Sequence, residues 1–294
     1  MTSIPVEARP GFGALTRDYL ELSKSRIVFM VVITTVAGFL FAAKTVDPIL
    51  LLHALVGTAL VAAGTNALNQ YVEREHDAKM HRTRTRPLPG GRITPRAALV
   101  FSSAISVIGT LYLGLLVNWL TAFLGAFTLT SYIFVYTPLK RMSTICTIIG
   151  AIPGAVPPLM GWTAATNELG LGGWIAFAIL FLWQLPHFMA ISWMYREDYA
   201  RGGFHMLSVQ DGDGAAVARQ AIYYSLALLA VSVTPTFFGL TGITYLIGAT
   251  LCGAALLAAS VRFFFDRGRN ARSLFMISNL YLLTVMLLLV VDAS

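Results

Sequence analysis

Residues 49–87 read ILLLHALVGTALVAAGTNALNQYVEREHDAKMHRTRTRP, and this stretch contains the two features that decide the fold. Residues 49–70 have no Asp, Glu, Lys or Arg, and a helix needs roughly 20 such residues to cross the hydrocarbon core of a bilayer. Residues 71–87 then carry three acidic side chains and five Lys or Arg side chains. The stretch therefore predicts a membrane-spanning helix that ends in a charged segment at one membrane face.

Asn69, Glu73 and Asp77 are candidate site residues because they are spaced four apart at the charged end of this helix. If the helix continues through them, they drift only ~40° per step and lie along one face. Their oxygen atoms suit a hard cation such as Mg²⁺, and the two acids repel each other unless a cation lies nearby. The side chains of Arg74 and Arg82 are the alternative partners. Because more basic residues follow directly, the segment suits a metal-bound phosphate ester.

The composition shows that the whole chain belongs in a membrane. Of its 294 residues 56% are hydrophobic and 12% are charged, about half the charged share of a soluble domain. Nine apolar runs are long enough to span, which predicts an all-α bundle of nine transmembrane helices in a single domain, residues 1–294. The runs are residues 27–43, 49–70, 97–117, 120–136, 146–165, 172–194, 219–240, 243–263 and 274–291.

Two details qualify this layout. The first run is short, so the first helix is expected to extend backwards through Tyr19, Leu20 and Leu22, and residues 1–20 are expected to include a flexible cytoplasmic N-terminus without a cleaved signal peptide. The fifth run contains three prolines within IPGAVPPLMGW, residues 152–162, which predict a bent helix beside a cavity.

The basic residues give the predicted orientation. All 21 Lys and Arg residues except Lys44 fall on the same side of the nine runs. By the positive-inside rule, the N-terminus and the charged segment then lie in the cytoplasm and the C-terminus lies outside, as expected for a multi-pass protein of the cytoplasmic (inner) membrane. The net charge of +7 is explained by these loops facing the cytoplasm and anionic lipid, so no nucleic acid partner is implied.

Further candidates lie beyond the first charged segment. In the loop after the sixth run, Glu197 and Asp198 are adjacent acids that cannot share one helix face, and Asp198 is the preferred ligand. Acids on both sides of the bundle mouth would let two Mg²⁺ ions hold one diphosphate. Lys140 and Arg141 are candidate clamps, or else ordinary anchors at the membrane surface. His187 is an intramembrane histidine, which indicates either contact with a polar substrate or a hydrogen bond near the Pro186 kink.

These motifs resemble those of the UbiA superfamily of intramembrane prenyltransferases. The blocks NQYVEREHDAKMHRTRTRPLP, YTPLKR with IPGAVPPLMGW, WQLPHF and REDYARGGFHML occur in the order typical of the branch that prenylates haem. The chain departs from the wider superfamily at Gln70, where many members have Asp, and in a second motif that contains fewer acids.

The resemblance implies the activity and the roles of the residues. It implies transfer of a farnesyl group from farnesyl diphosphate to a vinyl group of haem B, with water addition, to give haem O for terminal oxidases. Mg²⁺, as one or two ions, would be held by Asn69, Glu73, Asp77 and Asp198, with Glu197 as a further candidate. His187 would contact haem, and haem A synthase or terminal-oxidase assembly proteins would be partners. The residues that would bind the diphosphate are Lys79, Arg82, Arg86, Lys140, Arg141 and Arg196.

Two other functions remain open at this stage. A prenyltransferase acting on an aromatic acid such as 4-hydroxybenzoate shares the first motif, but it has no need for WQLPHF or IPGAVPPLMGW. A secondary transporter usually carries charged residues near the membrane midplane, whereas the acids here cluster at one face.

Overall fold

The computed structural model describes residues 12–293, which form helices, loops and one isolated bridge between Thr241 and Ala293. Within that range nine helices are long and apolar enough to cross a membrane. We number them spans 1 to 9. They are Ser25–Ala42, Pro48–Asp77, Pro95–Leu116, Trp119–Leu139, Cys146–Thr166, Leu171–Met194, Ala215–Phe237, Ile243–Phe265 and Ala271–Val291.

The predicted all-α fold of nine membrane-spanning helices is confirmed for the described residues. Span 2 begins at a capped end, since the Asp47 side chain accepts a hydrogen bond from the backbone amide of Ile49 (2.9 Å). It then continues without a break through Asn69 and Glu73 to Asp77, as their four-residue spacing predicts. The candidate ligands therefore lie on a regular helix.

A separate helix, Phe12–Leu22, precedes span 1, and we call it the N-terminal helix. The sequence favours a backward extension of span 1, which is wrong because Lys24 has a left-handed backbone (φ 51°) that separates the two helices. A flexible segment is also wrong for residues 12–20, where Tyr19 packs against Phe101 with ring centroids 4.6 Å apart. The remainder of that expectation, residues 1–11, lies outside the described residues.

Spans 5 and 6 form the centre of the bundle. In each of them 67% of the central stretch is buried, compared with 28–39% in the other seven spans. Span 5 is one continuous helix through its three prolines. It lies very close to span 1, because a Cβ added to Gly38 would lie 1.9 Å from the carbonyl oxygen of Pro158. The motifs PPLMGW and WQLPHF are thus carried by the two most buried helices.

Span 4 changes geometry before it reaches the charged face. Residues Ser131–Tyr136 form a π-helical turn, and the Thr137 hydroxyl donates to the carbonyl oxygen of Tyr132 (2.8 Å). Such turns occur often at functional sites because they widen the helix and rotate the side chains that follow. Here the residues that follow include Lys140.

Candidate active site at the charged end of span 2

The oxygen atoms of Asn69, Glu73 and Asp77 lie along one face of span 2 and are almost inaccessible, with 1%, 6% and 1% of each residue exposed. Each of them contacts one cationic side chain from another part of the chain. The three pairs are Asn69 Oδ1 with Lys24 Nζ (3.0 Å), Glu73 Oε1 with Lys140 Nζ (2.8 Å) and Asp77 Oδ2 with Arg86 Nη1 (2.8 Å).

The cations differ from the neighbours that the sequence suggests as alternative partners. Arg74 pairs with the adjacent Glu75, and the guanidinium of Arg82 lies over the ring of Tyr195, 5.0 Å from its centroid. Two of the actual partners, Lys24 and Lys140, are distant in sequence and are brought to span 2 by spans 1 and 4. Sequence spacing alone therefore could not identify them.

Lys140 is positioned by the π-helical turn of span 4. Its ammonium lies 4.5 Å from the centroid of the Tyr136 ring and also bonds Glu73. Burial disfavours the charge of Lys140, but the attraction of Glu73 outweighs burial and holds the pKa of Lys140 well above its ordinary value. This side chain therefore stays a cation beside the span 2 carboxylate.

Lys24 is a site residue that the sequence did not single out. It lies two residues after the end of the N-terminal helix, and its side chain reaches the buried oxygen of Asn69. Burial, together with the nearby charges of Arg86 and Lys140, lowers the pKa of Lys24 to about 7. The only sequence signal is that it is one of several basic residues before span 1.

The donor set of span 2 fits Mg²⁺ by its chemistry. All three side chains offer oxygen, which is the ligand atom that Mg²⁺ prefers, and they lie on one rigid helix. No group of three or more His, Cys, Asp or Glu side chains suited to a metal occurs between residues 12 and 293, and the third oxygen on this face of span 2 belongs to the amide of Asn69. Alternating oxygens and cations of this kind match a metal ion together with the anionic oxygens of a diphosphate.

An open cavity of about 910 Å³ adjoins this row of charges. It lies between the N-terminal helix and the first turn of span 1, and Lys24 and Arg86 both line it. Leu20 and Ile27 also line it, so the cavity has both cationic and apolar surface. An amphiphilic anion could reach the cations of the site from this direction.

Asp198 lies in a different environment from the acids of span 2. Its carboxylate accepts hydrogen bonds from the backbone amides of His81 (3.0 Å) and Arg82 (3.2 Å) and from the side chain of Arg201 (2.5 Å). Burial opposes ionisation, but these hydrogen bonds outweigh it and lower the pKa of Asp198. The second acidic motif thus holds the loop that follows span 2.

The other charged candidates lie at the surface. Lys79, Arg82, Glu197 and Arg196 are exposed, and Arg196 lies over the ring of Trp193. Exposed Arg141 contacts His76 through Nη1 and Nε2 (3.3 Å). The structure therefore brings Asn69, Glu73, Asp77, Arg86 and Lys140 together, and it leaves these five candidates outside that cluster.

His187 lies in the buried centre of the bundle, on span 6. Its ring stacks between Trp183 and Phe275, with centroids 4.7 and 4.9 Å away, and Nδ1 lies 2.8 Å from Ser278 Oγ. Because Ser278 Oγ donates to the carbonyl oxygen of Phe275 (2.7 Å), it accepts a hydrogen bond from Nδ1–H of His187. This arrangement leaves Nε2 with a free lone pair. Both sequence interpretations of His187, a hydrogen bond and a substrate contact, fit the geometry.

The membrane fold and the charged site together define an intramembrane prenyltransferase. Residues 31–284 match the model of the UbiA prenyltransferase family, and the chain belongs to that family. Its curated relatives include the protoheme IX farnesyltransferase of Solibacter usitatus (strain Ellin6076), which is 47% identical over 287 residues that cover 94% of this chain and 98% of the relative. The protoheme IX farnesyltransferase of Salinibacter ruber (strain DSM 13855 / M31) is 43% identical over 277 residues, covering 94% and 98% of the two chains.

Solved structures agree on the fold. A digeranylgeranylglyceryl phosphate synthase superposes with a TM-score of 0.80 at 19% identity, covering 96% of this chain and 99% of the other. A UbiA homolog from Archaeoglobus fulgidus bound to GPP and Mg²⁺ superposes with a TM-score of 0.64 at 14% identity, covering 92% and 99%.

Proposed function

We propose that this chain transfers the farnesyl group of farnesyl diphosphate to a vinyl group of haem B, with water addition, and so produces haem O. The observation that carries the proposal is the row of three oxygen–cation pairs on span 2. The activity of relatives that are 47% and 43% identical over nearly the whole chain supports haem B as the acceptor.

The diphosphate would bind at the span 2 row. Mg²⁺, as one or two ions, would be held by Asn69, Glu73 and Asp77, with Asp198 as a further ligand through its remaining lone pair. When bound, the metal would neutralise charge that develops on the departing diphosphate. A UbiA homolog with GPP and Mg²⁺ bound shares the fold, which supports this metal.

The cations of the row have a matching role. In the described structure each of Lys24, Lys140 and Arg86 contacts an oxygen of span 2. Phosphate oxygens of the substrate would take these contacts over, so no unpaired charge would remain buried. The three cations would then stabilise the leaving group where its negative charge grows.

The chemistry follows from charge separation. The bond between C1 of the farnesyl group and oxygen breaks, and its electron pair leaves with the diphosphate. The π electrons of the haem vinyl group form the new carbon–carbon bond to the allylic cation. Water then adds to the resulting cation and loses a proton, which gives the hydroxyethylfarnesyl group. The densely packed spans 5 and 6 would keep other water away from the first cation.

His187 is the proposed contact for the haem. A neutral imidazole whose Nδ1–H is bound to a hydroxyl presents Nε2 as a ligand for iron. The rings of Trp183 and Phe275 stack on the imidazole and hold its plane, so that Nε2 keeps one direction. The acceptor would thus be oriented from the bundle centre and the donor from the charged face.

The membrane orientation also belongs to this proposal. The concentration of Lys and Arg on one side of the spans supports a cytoplasmic N-terminus, an active site at the cytoplasmic face of the inner membrane and an outside C-terminus. Haem A synthase or a terminal oxidase under assembly would receive the product as partner proteins.

Product analysis with two acceptors tests the proposed function. Purified protein in lipid nanodiscs is incubated with Mg²⁺ and farnesyl diphosphate, and either haem B or 4-hydroxybenzoate is added. The expected result is haem O from haem B and no prenylated benzoate, as detected by mass spectrometry. Prenylation of 4-hydroxybenzoate with unchanged haem B would contradict the choice of acceptor. Release of diphosphate without prenylation of either acceptor would contradict the proposed transfer.

A further inference from the structure

Gln70 is a buried amide beside the candidate site, and its contacts are with the backbone of another helix. It is 1% exposed and follows Asn69 on span 2. Its Nε2 donates to the carbonyl oxygens of Glu21 (3.0 Å) and Leu22 (2.7 Å), the last two residues of the N-terminal helix. An amide nitrogen can donate to these carbonyls and a carboxylate cannot, so Gln is chemically suited to this role.

The two carbonyls are ones that a helix end normally leaves without intrahelical partners. Gln70 binds both carbonyls from span 2, and the Glu21 carbonyl also accepts the backbone N–H of Lys24 (3.1 Å), so Gln70 and Lys24 meet at the end of the N-terminal helix. Lys24 follows two residues later with a left-handed backbone (φ 51°), which a residue with a Cβ adopts only when its surroundings hold it there. Its side chain then reaches back to Asn69, the residue next to Gln70.

Other contacts fasten the same helix to the same end of span 2. Arg92 forms ion pairs with Asp18 and with Glu21, and it also donates to the carbonyl oxygen of Thr85 (2.9 Å). Leu22 is fully buried in an apolar cluster with residues of span 2 and of the loop that follows it. The N-terminal helix is thus clamped from its side by Arg92 and at its end by Gln70.

We propose that Gln70 is a positioning residue for Lys24, so that the N-terminal helix acts as a clamp that places one ammonium group on the bound diphosphate. This inference rests on the proposed function, because it takes the ligand of Lys24 to be the diphosphate of the prenyl donor. In this chain position 70 then holds no metal and acts only through Lys24.

A double-mutant cycle tests the coupling between the two residues. The probe is the farnesyl diphosphate analogue with sulfur as the bridging atom, which is not consumed, and its dissociation constant is measured with Mg²⁺ in nanodiscs. Lys24→Ala is expected to weaken binding about tenfold, as for one charge-assisted contact. Gln70→Met is expected to weaken binding about fivefold when Lys24 is present and less than twofold in the Lys24→Ala background.

Gln184 offers a matched control. It is also a buried glutamine whose Nε2 donates to two backbone carbonyls, those of Ala151 (3.3 Å) and Leu180 (3.1 Å), but it lies within span 6. Any effect of Gln184→Met on affinity is expected to be the same with and without Lys24. If Gln70→Met prevents folding, Arg92→Met loosens the clamp from its side and is expected to show the same dependence on Lys24.

The outcomes separate the inference from the proposed function. Wild-type protein without Mg²⁺-dependent binding of the analogue would contradict the proposed function. Normal wild-type binding with additive effects of Gln70→Met and Lys24→Ala would overturn the role of Gln70 alone. Normal wild-type binding with no effect of Lys24→Ala would overturn this inference and would also remove Lys24 from the proposed diphosphate site. A loss of Mg²⁺ affinity in Gln70→Met that persists in the Lys24→Ala background would make Gln70 a metal ligand and would also overturn it.

Discussion

The two acidic motifs carry similar residues near the same membrane face, but their acids are held in different ways. On span 2 the partners of Glu73 and Asp77 are flexible side chains, Lys140 and Arg86, which can turn to a ligand. After span 6 the partners of Asp198 include two backbone amides, which can turn only if the loop moves. Under the proposed function, the cations of span 2 can therefore exchange their partners for a substrate, whereas Asp198 mainly holds a loop in place and keeps one lone pair for a metal.

Among the charged residues of the site, Asp77→Asn is expected to have the strongest effect. This change removes the proposed metal-binding charge and the partner of Arg86 together, and loss of one such electrostatic contribution slows the chemical step by about 10²–10³-fold. Haem O formation is measured over a series of Mg²⁺ concentrations, and the variant is expected to need more Mg²⁺. Asp266→Asn, a change of a partly exposed acid after span 8, is the control and should retain the wild-type rate.

Substitutions at Lys140 and Arg141 compare a partly buried cation with its exposed neighbour. Lys140→Met is expected to lower the rate about 10²-fold, because it also leaves the buried carboxylate of Glu73 without its cation. Arg141→Met is expected to change the rate less than about threefold, as for an exposed charge. Turnover of both variants is measured in parallel with thermal unfolding. Equal losses of turnover would instead indicate that Lys140 and Arg141 both bind the diphosphate, as the sequence suggests.

Asp198→Asn tests whether the second motif differs from the first. An amide oxygen accepts less strongly than a carboxylate, so the loop after span 2 should loosen and activity should fall about 10–100-fold. Limited proteolysis within residues 79–84 is expected to speed up in Asp198→Asn and to stay unchanged in Asp77→Asn. If the activity of both variants depends on Mg²⁺ in the same altered way and proteolysis of residues 79–84 is unchanged in both, the two motifs do not differ as described.

Much of the fold followed from the sequence because length and hydropathy fix where a helix can cross a bilayer. The apolar run of span 2 ends at residue 70, and the spacing of Asn69, Glu73 and Asp77 suits a helix that continues, as it does to Asp77. The break at Lys24 was not predicted, because the sequence around it has no Pro or Gly, and its left-handed backbone is held by tertiary contacts with span 2. The partners of Glu73 and Asn69 could not be read from the chain either, since they come from residues 67 and 45 positions away.

A weaker effect than those of the buried acids and Lys140 is expected for Ser278→Ala on the acceptor side. Without the hydroxyl, the Nδ1–H tautomer of His187 is no longer fixed, and the KM for haem B should rise about tenfold. The affinity for the farnesyl diphosphate analogue should not change, and the visible spectrum of bound haem should report altered axial ligation. An unchanged spectrum together with an unchanged KM would remove His187 from the acceptor site.

The most direct measurement of the central claim is haem O formation by membranes that contain the Asn69→Ala variant. Asn69 carries no charge, so its loss tests the oxygen ligand itself while the cations of Lys140 and Arg86 remain. We expect haem O to be absent and haem B to be unchanged when the pigments are extracted, with the variant inserted in the membrane at the wild-type level. A normal yield of haem O from this variant would contradict the assignment of the span 2 row as the diphosphate and metal site.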